Sequence, residues 1–172
     1  MIIKPFRGDY AFLSNMWECP VYYNNVDFPS SEHAYQAAKY NDMAIRLRIA
    51  ALPTPSKAKS FWREHPELVD HKRMASFTRS KTSIMAEILA DKFTRNSNLK
   101  QLLLETIPHQ LVEEGWWHDN FWGTCTCGNK DGRHPQCLRP GRNELGQILM
   151  RLRTNIKRGW HEPKQSEIRW DW

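Results

Sequence analysis

Short apolar runs broken by turn residues occupy positions 2–28, the pattern of short strands and turns. Val21-Tyr22-Tyr23 and Val26-Asp27-Phe28 flank Asn24-Asn25. Asn tolerates the positive φ of a tight turn, so this spacing predicts a hairpin. Phe12-Leu13-Ser14-Asn15-Met16, ahead of it, reads as a loop.

The period then turns helical. Pro29-Ser30-Ser31 supplies an N-cap, Glu32 falls in the first turn where the helix dipole favours a carboxylate, and the unbroken run to Lys39 predicts a helix from Ser31 to Asn41. A second helix follows Asp42 and ends before Pro53; a third opens at Pro55-Ser56 and stops near Pro66. The longest is predicted from about Ser80 to Thr94, with Ile84, Ile88 and Leu89 forming one stripe that Met85 and Phe93 extend. Leu99, Leu102 and Leu103 mark another helix, and Gln110-Leu111-Val112-Glu113 is short enough for a strand. The last helix runs from Asn143 to about Ile156, with Leu145, Ile148, Leu149 and Leu152 facing inward. Between them, Glu114 to Arg142 is rich in Gly, Cys and Trp and keeps no period, as functional loops do. The order predicts a single helix-rich α+β domain with a small sheet over residues 1–158, followed by a tail at 159–172.

Composition adds a direction. Of 172 residues, 40% are hydrophobic and 26% charged, enough apolar matter for one core. Twenty-five basic against 19 acidic side chains leave a net charge of +6, which draws anionic partners by attraction and without specificity. No run approaches the roughly 20 apolar residues of a membrane helix. Met1-Ile-Ile-Lys-Pro carries no signal-peptide pattern, so a cytoplasmic chain without a membrane partner is expected.

Three groupings carry candidate chemistry. Glu32 and Lys39 lie seven residues apart on the predicted first helix, a separation of about 10 Å along its axis. An acid and an amine framing such a gap suit chemistry on a sugar; two solvated surface charges would show the same spacing. The stretch from Glu113 to Gly123 mixes Trp116, Trp117 and Trp122 with Glu113, His118 and Asp119. Its rings can stack on a base while its carboxylates accept hydroxyl hydrogen bonds, or it can be an aromatic loop pinned to the core. Cys125 and Cys127, with Cys137 and either His118 or His134, have the ligand types of a zinc site. The C-x-C pair is tighter than the usual C-x₂₋₄-C, so free thiols in a loop and no metal are the expectation. G-x-G-x-x-G, Walker A, H-E-x-x-H and G-x-S-x-G are all absent, which argues against nucleotide-cofactor enzymes and serine hydrolases.

Taken in order, the chain resembles the NADAR family, also called YbiA-like proteins. The matching residues are Phe6-Arg7-Gly8, Leu13-Ser14-Asn15, Ser31 through Lys39, Phe77, Lys81, Met85 and Lys92-Phe93. They continue with Leu111-Val112-Glu113, Trp117-His118-Asp119, Trp122-Gly123, Gly141-Arg142-Asn143, Leu145-Gly146 and Leu149-Met150. The resemblance implies an α+β fold, no redox cofactor and hydrolysis of an N-glycosidic bond. Two substrate classes follow from it: ADP-ribose joined to the amino group of guanine, in nucleotide or nucleic acid, and the small phosphorylated ribosylaminopyrimidines of riboflavin biosynthesis. The first is favoured here because a positive balance and a cysteine-bearing loop suit an ADP-ribosyl group or nucleic acid. Oligomeric state is left open by the pattern.

On that resemblance Glu32 is the carboxylate that polarises water or a ribose hydroxyl. Lys39 acts either as an ammonium acid or as an amine forming a Schiff base. Asp119 orients water or ribose, and Asn15 positions the ligand. Arg7 and Arg142 hold phosphate, aided by main-chain N–H groups of the helix after Gly141. Trp62, Trp117 or Trp122 stacks on the base, and Glu113, Gly123 and Asn143 complete the binding set. The chain departs from the family pattern at Phe77, where Trp is common, and at Thr124–Pro140, an insertion carrying the cysteines. A non-catalytic ADP-ribose or nucleic-acid binding module would keep the rings and arginines without needing Glu32 and Lys39 together. A zinc-dependent DNA-binding domain is a third class.

Overall fold

The computed structural model describes residues 1–159; the tail beyond them lies outside the described residues. In chain order the elements are β1 (Ile2–Ile3), a 3₁₀ turn (Gly8–Leu13), β2 (Glu18–Tyr23), β3 (Val26–Ser30), α1 (Ser31–Ala37), α2 (Met43–Ala50) and α3 (Pro55–Glu64). A 3₁₀ turn (Pro66–Leu68), α4 (His71–Arg95), α5 (Ser97–Glu105), β4 (Gln110–Leu111), β5 (Glu114–Gly115) and β6 (Thr124–Cys125) follow, then a 3₁₀ turn (Pro135–Leu138) and α6 (Glu144–Lys157). This is a helix-rich α+β fold whose strands form three two-stranded pairs. The described residues divide into two compact units, one of residues 15–100 and one of residues 1–14 with 101–159.

In the unit spanning 15–100, the hairpin forms where the Asn pair foretold it. Asn24 and Asn25 take φ of 51° and 66°, and Tyr23 faces Val26 across the turn. Val26, Phe28 and Ser30 are buried while Asp27 and Pro29 are exposed, so β3 alternates with the two-residue period of a half-buried strand. The register slips between Glu18 and Val21, and Pro20 sits at that irregularity, where no ladder N–H is needed. There α4 takes over: Asp91 accepts from the Tyr22 N–H at 2.6 Å, and the Asn96 side chain donates to the Pro20 carbonyl at 3.0 Å.

Helix α4 is longer than its apolar stripe indicates. Ile84, Met85, Ile88, Leu89 and Phe93 are buried as expected, yet the helix begins at His71, where Asp70 accepts from the Lys72 and Arg73 N–H groups. Its first three turns bury only Phe77, which is why periodicity missed them. Helix α1 packs on α2, α3, α4 and both strands of the hairpin, so every one of its residues is buried. No helix of the described residues is long and apolar enough to cross a membrane.

In the other unit, β1 pairs with β4 in parallel and β5 with β6 likewise. Helix α6 lies on β4, burying Leu145, Ile148, Leu149 and Leu152. Arg153, also buried, donates to the Thr106 carbonyl at 3.0 Å, to the Thr106 hydroxyl at 2.7 Å and to the His109 carbonyl at 2.5 Å. Gly146 is required by close approach. A Cβ there would stand 2.2 Å from the Leu111 carbonyl oxygen and 2.6 Å from the Asn143 amide. Helix propensity alone favours Gly146→Ala by up to about 1 kcal/mol. The clash reverses the sign, and a loss of about 2 kcal/mol or more is expected in denaturant melts. An unchanged or raised midpoint would show that β4 and α6 separate easily.

Candidate active site

The local sequence around α1 decides where Glu32 and Lys39 go. Ser30 caps the helix, its Oγ accepting from the His33 N–H at 3.3 Å. The His33 ring is buried: Nε2 meets the Leu52 carbonyl at 3.2 Å and Nδ1 meets Ser30 Oγ at 2.7 Å. A carbonyl only accepts, so Nε2 carries the proton and Nδ1 accepts from the Ser30 hydroxyl. Burial lowers the His33 pKa further, which keeps the ring neutral and structural. The Glu32 N–H donates to the Asn15 carbonyl at 3.0 Å, tying the start of α1 to the loop before β2.

The helix ends earlier than the sequence suggested. It stops at Ala37, and Lys39 lies in the closing turn, its N–H bonded to the Gln36 carbonyl at 3.2 Å. No Gly or Pro signals this end. Arginines from elsewhere in the unit take up the freed carbonyls: Arg73 donates to Ala38, and Arg46 to Tyr40 at 2.8 Å. Lys39 is thereby held against the helix rather than carried along its axis.

The side chains of Glu32 and Lys39 are joined through a residue that sequence reasoning passed over. Gln36 donates from Nε2 to Glu32 Oε1 at 2.8 Å, and its Oε1 accepts from Lys39 Nζ at 2.6 Å. An amide is neutral and does both at once, accepting from an ammonium through its oxygen while donating to a carboxylate through its nitrogen. The i, i+4 spacing from Glu32 and i, i+3 to Lys39 were the available signals.

Rings surround the amine. Lys39 Nζ lies 5.8 Å from the Tyr35 ring centroid, 5.6 Å from Trp62 and 5.9 Å from Phe77. Burial pushes its pKa down to about 8; Glu32 opposes the shift, while Lys59 and Arg63 add to it. Asn15 Oδ1 is buried and has no hydrogen-bond partner among the described residues, and its Nδ2 reaches only the Met85 sulfur at 3.4 Å. This unit therefore brings together four of the predicted residues: Glu32, Lys39, Asn15 and Trp62.

The remaining predicted residues belong to the other unit. Arg7 lies over the Trp117 ring at 5.6 Å, a cation and a flat surface side by side. Arg142 lies over Phe121 at 4.7 Å and pairs with Glu144 at 2.6 Å, while most of its side chain stays exposed. Asp119 Oδ1 accepts from the Phe121 and Trp122 N–H groups at 3.0 and 2.9 Å, so that oxygen serves as a turn cap. Asn143 clamps β4 to α6, donating to the Leu111 carbonyl at 2.9 Å and accepting from the Glu113 N–H at 3.0 Å. Gly123 allows the Glu113 carbonyl to approach; a Cβ would stand 2.6 Å from it.

One expectation is corrected. The amides around the start of α6 do not await a phosphate: Asn143, Glu144 and Leu145 donate to the carbonyls of Gly123, Phe121 and Trp122 at 3.3, 3.1 and 3.1 Å. These bonds fasten the aromatic segment to the helix instead. Of the two histidines considered beside the cysteines, His118 faces Cys125, Cys127 and Cys137, whereas His134 stacks on the His118 ring at 3.5 Å. All four cysteines are free thiols.

A family model described as the NADAR domain matches residues 3–157. The N-glycosidase YbiA of Escherichia coli is 31% identical over 148 residues, covering 86% of this chain and 82% of that protein. A riboflavin biosynthesis protein of Vibrio vulnificus is 30% identical over 149 residues, which are 87% of this chain and only 36% of that protein. The solution structure of E. coli YbiA superposes with a TM-score of 0.69 at 28% identity, covering 96% of this chain and 90% of that one.

Proposed function

The chain belongs to the NADAR domain family, and from that premise we propose that it is an N-glycosidase removing ADP-ribose from the amino group of guanine. The observation that carries the reading is the hydrogen-bonded series Glu32–Gln36–Lys39, with three aromatic rings about the Lys39 amine. Cleaving the bond between ribose C1 and an exocyclic amine consumes one water. The C1–N pair of electrons leaves with the amine, which must gain a proton, while the oxygen of water ends on C1. Glu32 polarises the water or a ribose hydroxyl, and Lys39 handles the sugar carbon or the departing amine. Asn15, with its unsatisfied buried oxygen, accepts from a ligand hydroxyl.

Within the other unit, taken by itself, we assign Arg7 and Arg142 to a phosphate, Trp117 or Trp122 to a base, and Glu113 and Asp119 to hydroxyls. The exposed Lys130, Arg133 and Arg139 of the inserted loop support an anionic, nucleotide-bearing substrate over a lone sugar phosphate. A second reading, a phosphorylated ribosylaminopyrimidine substrate, is favoured by a relative named as a riboflavin biosynthesis protein. The expected result is release of free ADP-ribose from an oligonucleotide carrying ADP-ribosylated guanine. Turnover of the aminopyrimidine ribose phosphate alone would assign the second reading. Binding of either compound without any release would make the chain a binding module and reject both.

A further inference from the structure

We propose that His118, Cys125, Cys127 and Cys137 form a structural zinc site that fastens the inserted loop. Their donor atoms, His118 Nδ1 and three sulfurs, all lie within 4.8 Å of one another. A zinc ion with bonds of about 2.0–2.1 Å to nitrogen and 2.3 Å to sulfur makes tetrahedral edges of roughly 3.5–3.8 Å. His118 Nδ1 stands 3.4 Å from Cys127 Sγ and 3.5 Å from Cys137 Sγ, already at such edges. A disulfide between any two of these thiols would leave a third thiol and the imidazole facing it with no role.

The surroundings are those of a ligand shell. The Cys127 N–H points to Cys125 Sγ and the Asn129 N–H to Cys127 Sγ, each at 3.4 Å, the donors that steady thiolate charge. Asn120 accepts from the Cys125 N–H at 2.8 Å and donates to the Gln136 carbonyl at 2.8 Å, spanning the two cysteine-bearing segments. His118 takes a left-handed φ of 66°, and His134 stacks on its ring at an interplanar angle of 12°, holding it toward the sulfurs. Within Thr124–Pro140 only the two cysteines Cys125 and Cys137 are buried. That segment has no apolar core of its own, and a metal supplies in small loops the cohesion that a core supplies elsewhere.

The site would also steady its neighbours. Asn120, Phe121, Trp122 and Gly123 carry the carbonyls that bind the start of α6, and they lie between His118 and Cys125. Zinc would therefore act on the aromatic segment through position, with no part in bond cleavage.

The full chain, purified under reducing conditions, is expected to hold one zinc per molecule by elemental mass spectrometry. Chelation should remove it, lower the melting temperature and open residues 124–140 to protease. Adding cobalt(II) to the stripped chain should then produce the visible bands of a tetrahedral thiolate site, saturating at one equivalent. His118→Ala, Cys127→Ser and Cys137→Ser should lose the metal, and His134→Ala should keep it. Since a variant can lose metal by misfolding, the cobalt titration of the unaltered chain is decisive. No thiolate bands, saturation far below one equivalent, or metal retained by His118→Ala and lost from His134→Ala would each overturn the assignment. None of these outcomes depends on which substrate the chain cleaves.

Discussion

Lys39→Ala and Glu32→Ala are each expected to cut turnover about a hundredfold or more, the size of effect a positioned acid–base group supplies. Neither change should unfold the protein. Lys39 is a half-buried cation whose burial already disfavours its charge, so removing it takes away a desolvation cost along with its contacts to Tyr35, Trp62 and Phe77. Glu32 holds the loop through its backbone N–H to Asn15, a bond that any residue keeps. What Glu32→Ala does leave behind is the Gln36 amide without its acceptor, so Glu32→Gln provides the shape-conserving comparison. Steady-state rates with intact circular dichroism and a cooperative melt are the measurement. Variants retaining activity within about tenfold of the parent would remove Glu32 or Lys39 from the chemistry, because no general acid or base is worth so little.

The same pair shows what a sequence can and cannot disclose. Elements announced by neighbouring residues were legible: the Asn24-Asn25 turn, the caps at Ser30 and Asp42, the Pro55 start of α3, and the buried stripe of α6. Glu32 on α1 and Lys39 in the turn after it were legible as types at a spacing. Their linkage was not, because Gln36 in a helix looks like any solvated amide until Glu32 and Lys39 are seen on either side of it. The end of α1 was hidden for a related reason. Arg73 and Arg46 take the Ala38 and Tyr40 carbonyls beyond its end, and no Gly or Pro near Ala37 signals the stop. The opening of α4 carries a single buried side chain, Phe77, so a rule built on apolar period had little to count. Of the two histidines, it is His118, at a left-handed φ of 66°, that faces the cysteines, and sequence spacing offered His134 equally.

The role of Lys39 can be decided by pH. Its pKa is lowered to about 8 by burial, so near neutrality most molecules carry the ammonium and a minor fraction the amine. If the amine attacks C1 of the opened sugar, it expels the base amine and leaves an imine that water then hydrolyses. The rate at low substrate concentration should accordingly climb with pH and level off above about 8. If the ammonium donates the proton instead, the same limb must fall as pH passes that value. The amine role is the expected one, because burial first, then Lys59 and Arg63, favour the uncharged form that attack requires. Borohydride added during turnover should then fix the sugar to Lys39 as a secondary amine, visible by mass spectrometry and absent from Lys39→Ala. Glu32 raises the Lys39 pKa, so in Glu32→Gln the rising limb should shift to lower pH even as the rate drops. A falling limb with no adduct would return Lys39 to the part of an acid, leaving the bond cleaved and the order of its proton transfers reversed.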